Sequence, residues 1–308
     1  MLKKIWNNKP LVGLIIFSIV VSIFNPRFLS MNNLLNVLRQ TSINSVIAIG
    51  MTLVILTGGI DLSVGSVLAI SGAICATMVS SGMNPVLALF LTLTVGLLLG
   101  ILNGIFISYA KLQPFIVTLV TMTLLRGATL VYTDGKPIPV RGEGEFFENI
   151  GGGYLLEIPV PIYIMVALFL VGYYVLANAK FGRYIYAIGG NEEATKLSGV
   201  NTSKYKTLVY GVAGALAALA GIIVTSRLGS AQPTAGAGYE LDAIAAVVLG
   251  GTSLSGGVGR ITGTALGAII IGVLGNALNL LDVSSYYQMM IKAAVILIAV
   301  LIDKKSSK

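Results

Sequence analysis

Five charged residues lie within or beside apolar segments of the sequence, where an ionised side chain is costly: Asp61, Arg126, Glu240, Asp242 and Lys292. Charges in the apolar zone of a membrane protein are functional candidates by default. A proton-coupled carrier would need one or two deeply buried carboxylates among them. However, the three acids each open an apolar segment, so we expect them to begin helices near the membrane interface as capping groups.

Neutral polar side chains form a second candidate set inside the apolar segments. They are Asn103, Thr121, Asn276, Asn279 and Gln288. Such groups can line a path for an uncharged, hydroxylated solute. Hydrogen bonding between helices is the alternative for each of them.

Several kinds of chemistry are excluded. The chain has no histidine, so it lacks the commonest general base and metal ligand. Ser255–Gly263 resembles a phosphate-binding loop but has no lysine. The lone Cys75 allows no internal disulfide. We therefore predict no catalytic residues, no metal site and no cofactor bound by this chain, which would not be an enzyme.

Composition places these residues in a membrane. Of the 308 residues, 56% are hydrophobic and 10% are charged, against about 25% charged in soluble domains. Apolar segments of spanning length, about 20 residues, recur throughout the chain. We predict a single all-α polytopic transmembrane domain over residues 1–308, with about ten spans. The predicted spans are 10–24, 43–57, 62–79, 86–108, 114–132, 159–176, 207–227, 241–251, 261–280 and 286–302, of which the second and eighth are short.

Basic residues set the orientation. An even number of spans puts both termini on one side, and the net charge of +8 fits cytoplasmic loops better than nucleic acid. With the termini in the cytoplasm, most basic residues fall there, including those of loop 178–206. The acidic loop 134–158 then lies outside.

Two pairs of segments suggest an internal repeat. Gly59–Ala73 aligns without gaps to Gly238–Thr252, and Leu97–Gly104 resembles Ile269–Asn276. Five spans separate the partners, so the halves would form two inverted five-helix repeats, as in many transporters. Chance similarity between apolar segments is the alternative.

Small residues at four-residue spacing predict close helix packing. Gly96, Gly100 and Gly104 form such a ladder, and Gly263 with Gly267 forms another. Ladders of this kind let helix backbones approach closely in lipid. We expect packing inside one subunit, with a seam between two subunits as the alternative.

The stretch "GGNEEATKLSG" at 189–199 predicts a short helix in the longest basic loop. Asn191 suits the N-cap, Glu192 and Glu193 suit the first turn, and Gly199 suits the stop. The helix would cover 192–198, about two turns, which is too short to be stable in water alone. Its support would come from another subunit or from its own loop.

This stretch also carries a family resemblance. Glu193, Ala194 and Thr195, with Gly199 six residues after Glu193, resemble the EAA motif of ABC-importer permeases, although the usual Ile-x-Leu-Pro extension is missing. Four longer segments are similar to the branched-chain amino acid and monosaccharide permease family. They are 57–66, 181–201, 230–260 and 283–293.

The resemblance implies a pore-forming subunit of an importer in the bacterial inner membrane. Ribose or a related monosaccharide would be the substrate. The implied partners are a second permease copy or paired permease, a cytoplasmic ATPase that binds ATP, and an extracytoplasmic sugar-binding protein. Asn191–Gly199, including Lys196, would dock on the ATPase as a coupling helix. A proton-coupled secondary sugar transporter is the alternative.

Overall fold

The computed structural model describes residues 9–140 and 144–306, which form thirteen α-helices, one 3₁₀ helix and four two-residue strands. The helices are α1 Lys9–Phe24, α2 Met31–Leu56, α3 Val64–Ser80, α4 Pro85–Ser108, α5 Pro114–Thr133, α6 Gly144–Gly152, α7 Val160–Asn178, α8 Lys180–Gly190, α9 Glu192–Leu197, α10 Thr202–Leu228, α11 Tyr239–Leu249, α12 Ile261–Leu280 and α13 Ser285–Ser306. The 3₁₀ helix is Pro26–Leu29, and the strands are β1 Ile138–Pro139, β2 Tyr154–Leu155, β3 Ile158–Pro159 and β4 Ser230–Ala231. β1 pairs antiparallel with β4, and β2 with β3.

Six described helices are long and apolar enough to cross a membrane. They are α2, α4, α5, α7, α10 and α12. The chain is therefore a polytopic all-α membrane protein. Such a fold satisfies every backbone hydrogen bond within each span, as hydrocarbon requires.

The two spans predicted to be short differ from each other. α11 has only 11 residues, about 16 Å at 1.5 Å per residue, so by itself it reaches about half of a 30 Å hydrocarbon layer. α2 has 26 residues and begins at Met31, not at Ile43 as predicted. The prediction for α2 was wrong because its first three turns are polar and do not stand out by hydropathy.

α2 lies at the centre of the bundle. Its most apolar 18-residue window is 78% buried, and it packs against α7, α10, α11 and α12. Its polar first half is stabilised by its neighbours. The Asn33 amide exchanges two hydrogen bonds with that of Asn276, at 2.9 and 3.0 Å.

The glycine ladders pack helices within the chain, as predicted. A methyl group at Gly100 would meet the carbonyl oxygen of Tyr210, and one at Gly96 would meet that of Gly214, both on α10. One at Gly267 would meet the carbonyl oxygen of Ala246 on α11. The backbones are thus too close for any larger residue.

Contacts among the loops and helix ends show which helix ends lie on the same side of the bundle, and they define two faces. On one face, the Gly257 N–H donates to the Leu56 carbonyl at 3.0 Å, and the Tyr186 hydroxyl donates to the Gly259 carbonyl at 2.9 Å. On the other, β1 pairs with β4, and the Ser80 hydroxyl donates to the Pro139 carbonyl at 2.8 Å. We call these the 190s face and the 140s face, after the segments that they carry.

Candidate functional sites

The predicted short helix is present as α9, six residues long. The Asn191 side chain caps it by accepting the Ala194 N–H at 2.9 Å. Glu192 and Glu193 occupy its first turn, Lys196 its last, and Gly199 follows with a φ of +85°. The local prediction of cap, charges and stop is therefore confirmed.

α9 is held from within its own chain. Lys206 Nζ on α10 lies 2.9 Å from Glu192 Oε2, and Lys111 Nζ in the α4–α5 loop lies 3.9 Å from Glu192 Oε1. Thr195 is buried, and its hydroxyl donates to the Asn191 carbonyl at 2.7 Å. A second subunit is thus not needed to explain how so short a helix is stabilised.

The ionisation of Glu192 follows from these contacts. Partial burial raises the pKa of this carboxyl, but the hydrogen bond and charge of Lys206 and the charge of Lys111 lower it more. The net pKa lies below the ordinary value of glutamate. Glu192 is therefore ionised at neutral pH and holds α9 electrostatically.

The opposite side of α9 is free of contacts that would bury it. Glu193, Ala194 and Lys196 are exposed, and the Leu197 side chain is 84% exposed. Leu197 is therefore an apolar side chain on an exposed charged helix that a partner protein could cover. Sequence reasoning missed Leu197, because one leucine carries no signal in a chain so rich in leucine.

Four glycines, Gly58, Gly189, Gly256 and Gly257, form a close backbone junction between the end of α8 and two loops of the 190s face. A methyl group at Gly189 would meet the Leu56 carbonyl and the Gly257 nitrogen, and one at Gly256 would meet Gly58. The segment before α9 therefore lies in direct backbone contact with the α2–α3 and α11–α12 loops. A movement of α9 could therefore be transmitted to both loops through these backbone contacts.

Two of the predicted polar residues meet Asp61 in a buried network. Asp61 Oδ1 accepts the Ser63 hydroxyl at 2.6 Å, and the Asn103 amide donates to Ser63 Oγ at 3.0 Å. The Thr121 hydroxyl donates to Asn103 Oδ1 at 2.6 Å. The network joins the start of α3 to α4 and α5.

Asp61 differs from the interfacial cap that was expected. Its side chain is 1% exposed, and Ser63 is the N-cap residue of α3. Asp61 instead accepts the Ser63 N–H at 2.9 Å in the turn before the helix. The hydroxyl of buried Tyr210 lies against Gly59 and has no hydrogen-bond partner among the described residues. Nothing local in the sequence indicated Tyr210.

Glu240 and Asp242 lie in the first turn of α11, as predicted, but the N-cap residue is Gly238, so neither acid is the cap. Glu240 Oε1 accepts the Gly238 N–H at 3.2 Å. Asp242 Oδ2 lies 2.8 Å from Lys292 Nζ on α13, and Asp242 is buried. The Arg126 guanidinium donates to backbone carbonyls ahead of α11, including that of Ala235 at 2.8 Å. These charges are therefore satisfied inside the bundle.

The other three predicted polar residues line one cavity. Asn276, Asn279 and Gln288 border a space of about 230 Å³ between α2, α11, α12 and α13, together with the Asp242–Lys292 pair. The Gln288 amide donates to Asn279 Oδ1 at 2.8 Å. Asn276, Asn279 and Gln288 thus form hydrogen bonds between helices and also border a cavity. Their role in a path for a solute stays a prediction.

Among the described residues, no three His, Cys, Asp or Glu side chains are grouped so that they could hold a metal ion. Residues 33–300 match the family model described as "branched-chain amino acid transport system / permease component". The chain belongs to this permease family. No solved structure gave a significant match.

Curated relatives match this permease over nearly its whole length. It is 60% identical to the ribose import permease protein of Haemophilus influenzae, over 95% of this chain and 91% of that one. It is 58% identical to the protein of the same name from Bacillus subtilis, over 97% and 92%. The D-allose transport system permease protein of Escherichia coli is 39% identical, over 95% and 91%.

Proposed function

We propose that this permease is the membrane-spanning subunit of an ATP-driven importer that carries ribose, or a related monosaccharide, into a bacterial cell. The names of the relatives support ribose as the substrate. Two proteins that are 60% and 58% identical to this chain are named ribose import permeases. The polar but largely uncharged interior supports a neutral polyol, which needs hydrogen bonds rather than counter-ions.

The exposed side of α9 is the observation that carries the ATP-driven mechanism. Asn191–Gly199 would dock on a cytoplasmic ATPase, which binds and hydrolyses ATP, so that this chain needs no cofactor and is not itself an enzyme. Leu197 and Glu193 would make the contact, while Glu192 and Thr195 hold the helix in place. The glycine junction at Gly189 would pass the movement of α9 to the loops beside α2 and α11.

The topology that we propose has ten spans in two inverted five-helix repeats, with both termini in the cytoplasm of an inner-membrane protein. The 190s face, with loop 178–206, would be cytoplasmic, and the 140s face, with loop 134–158, would lie outside. Helix packing supports the repeats. α4 packs on α10 as α12 packs on α2, and α3 packs on α5 as α11 packs on α13.

The remaining partners complete the importer. A second permease copy, or a paired permease, would line the pathway with this one, in contact with membrane lipid. A sugar-binding protein outside the membrane would deliver the substrate. We expect the permease alone to bind ribose weakly, with a Kd around 1 mM, or about −4 kcal/mol.

Reconstitution tests the proposal. Liposomes that contain permease and ATPase should accumulate ribose only when ATP and the binding protein are both present. The rival is a proton-coupled carrier, favoured by Asp61, a buried carboxylate that forms no ion pair within residues 9–140 and 144–306. Ribose accumulation driven by a proton gradient without ATPase, and abolished by Asp61→Asn, would refute the ATP-driven importer.

A further inference from the structure

The cavity between α2, α11, α12 and α13 is a built polar chamber rather than a packing fault. We propose that it is a binding site for a neutral monosaccharide inside a single permease subunit, on the side of the 140s face; this rests on the proposed function. Ligand sites combine an apolar wall with a few convergent polar groups. Here Ile43, Ala246 and Ala268 supply apolar lining.

Two buried acceptors at the chamber have no partner. Thr41 is 2% exposed, and its hydroxyl oxygen makes no hydrogen bond to any described residue. The same holds for Asn44 Oδ1. Both oxygens are closed to solvent in this conformation, and a Cβ at Gly272 would meet the Thr41 hydroxyl. A buried polar atom without a partner is destabilising, so a rotation of either side chain that turns its oxygen towards a ligand hydroxyl in the chamber would gain a hydrogen bond.

The charges of the chamber favour a neutral ligand. Lys292 Nζ and the Asn44 amide both donate to Asp242 Oδ2, at 2.8 and 3.3 Å. The Asp242 and Lys292 charges therefore cancel, while no protein donor reaches Asp242 Oδ1 among the described residues. A carboxylate oxygen beside amides is well suited to accept a sugar hydroxyl. Arg227 also lines the chamber, so an anionic sugar acid is the competing ligand to be tested.

The chamber lies towards the 140s face. Lys292 is the eighth residue of α13, about 11 Å along the helix from its start on that face. Arg227 lies in the last turn of α10, next to β4. The Asp61–Asn103–Thr121 network lies elsewhere, at the start of α3 and near the C-terminal end of α4, towards the 190s face. A sugar that enters from the 140s face would thus meet this chamber first.

Gly275 permits a test by filling the chamber. It lines the cavity, and a Cβ there would meet no heavy atom within 4 Å. We expect Gly275→Leu to reduce ATP-driven ribose uptake about tenfold or more by occupying ligand space, and Thr41→Val to reduce it about fivefold by removing a hydroxyl. The control is Gly13→Leu, the same change at an exposed α1 glycine whose Cβ also meets nothing within 4 Å. Co-purification with the ATPase checks the assembly of every variant.

Thiol protection measures occupancy without transport. A Gly275→Cys permease, in a Cys75→Ala background, should react more slowly with a small thiol reagent when millimolar ribose is present. Protection by ribose but not by ribonate supports the neutral site. Protection by ribonate alone would assign the chamber to anions. The chamber would be refuted if ribose did not protect the Gly275→Cys thiol and the assembled Gly275→Leu permease took up ribose at the wild-type rate. That result would leave the proposed importer function intact. If the wild-type permease itself failed to take up ribose, the proposed function would be refuted instead.

Discussion

Replacing Lys206 with methionine should loosen α9 while the membrane helices remain intact. Lys206 is 14% exposed and lies 2.9 Å from Glu192. The remaining cation, Lys111, is 64% exposed and lies 3.9 Å away. Hydrogen bonds to charged groups contribute about 1.5–3 kcal/mol, and exposed ion pairs only about 0.2–1 kcal/mol. Because Glu192 is 36% exposed, we expect a loss at the upper end of the range for exposed pairs, about 1 kcal/mol.

A loss of this size raises the open population of α9 about fivefold. Hydrogen exchange on the intact permease measures it at the N–H groups of Thr195 and Ser198, which bond to the carbonyls of Asn191 and Ala194. Both amides should exchange about five times faster in Lys206→Met. The control is Lys204→Met, the same change at an exposed lysine that forms no ion pair with the described residues. Equal protection in the two variants would refute the anchoring of α9 by Glu192.

The pH dependence of this difference follows from the lowered pKa of Glu192. A carboxyl with a depressed folded pKa stabilises the structure above its unfolded pKa, and this contribution is lost as the pH falls through the folded pKa. After correction for intrinsic exchange, wild type and Lys206→Met should therefore differ at neutral pH and converge in acid. A difference that persists in acid would mean that Lys206 acts through packing of its stem instead.

Three further predictions concern the faces and the packing. Leu197→Asp should abolish co-purification of the ATPase while membrane insertion is unchanged, whereas an unchanged complex would remove α9 from the docking surface. In a Cys75→Ala background, an impermeant thiol reagent should label Lys136→Cys from outside and Lys204→Cys only after the membrane is opened; the reverse pattern would invert the proposed topology. Gly100→Leu should lower the thermal stability of the purified permease, because its side chain meets the Tyr210 carbonyl on α10, while Gly127→Leu, which meets nothing within 4 Å, should not; equal stability would mean that α4 and α10 can separate without cost.

Local signals predicted the short elements best. The capped helix at 191–199 was predicted nearly residue by residue, since an N-cap, a charge gradient and a terminal glycine act within a single turn. α4, α5 and α12 also begin and end within about a residue of their predicted bounds. α2 was predicted to begin twelve residues too late, because the polar half of a buried helix cannot be told from a loop until its partners are known.

The partners of the polar residues could not be predicted. Asn103 and Thr121 were predicted either to line a solute path or to form hydrogen bonds between helices. Only the fold shows that they join the network around Asp61. Asp242 and Lys292 lie 50 residues apart and form an ion pair across two helices. Tyr210 and Leu197 carried no signal at all, because a tyrosine or leucine in an apolar chain is most often simply packing.

The sequence alone determined that this protein is an all-helical membrane protein, with its apolar segments in place and its short charged helix capped. Each of these properties depends on neighbours in the chain, through hydropathy over a bilayer's thickness or hydrogen bonds within one turn. Only the tertiary structure decided which face of each helix meets which partner. Lipid solvates all apolar helix faces about equally, so it does not select the packing partners of a helix. Close contacts at glycines and a few long-range polar pairs select them. The buried network at Asp61, the internal anchor of α9 and the chamber beside Asp242 all come from that choice.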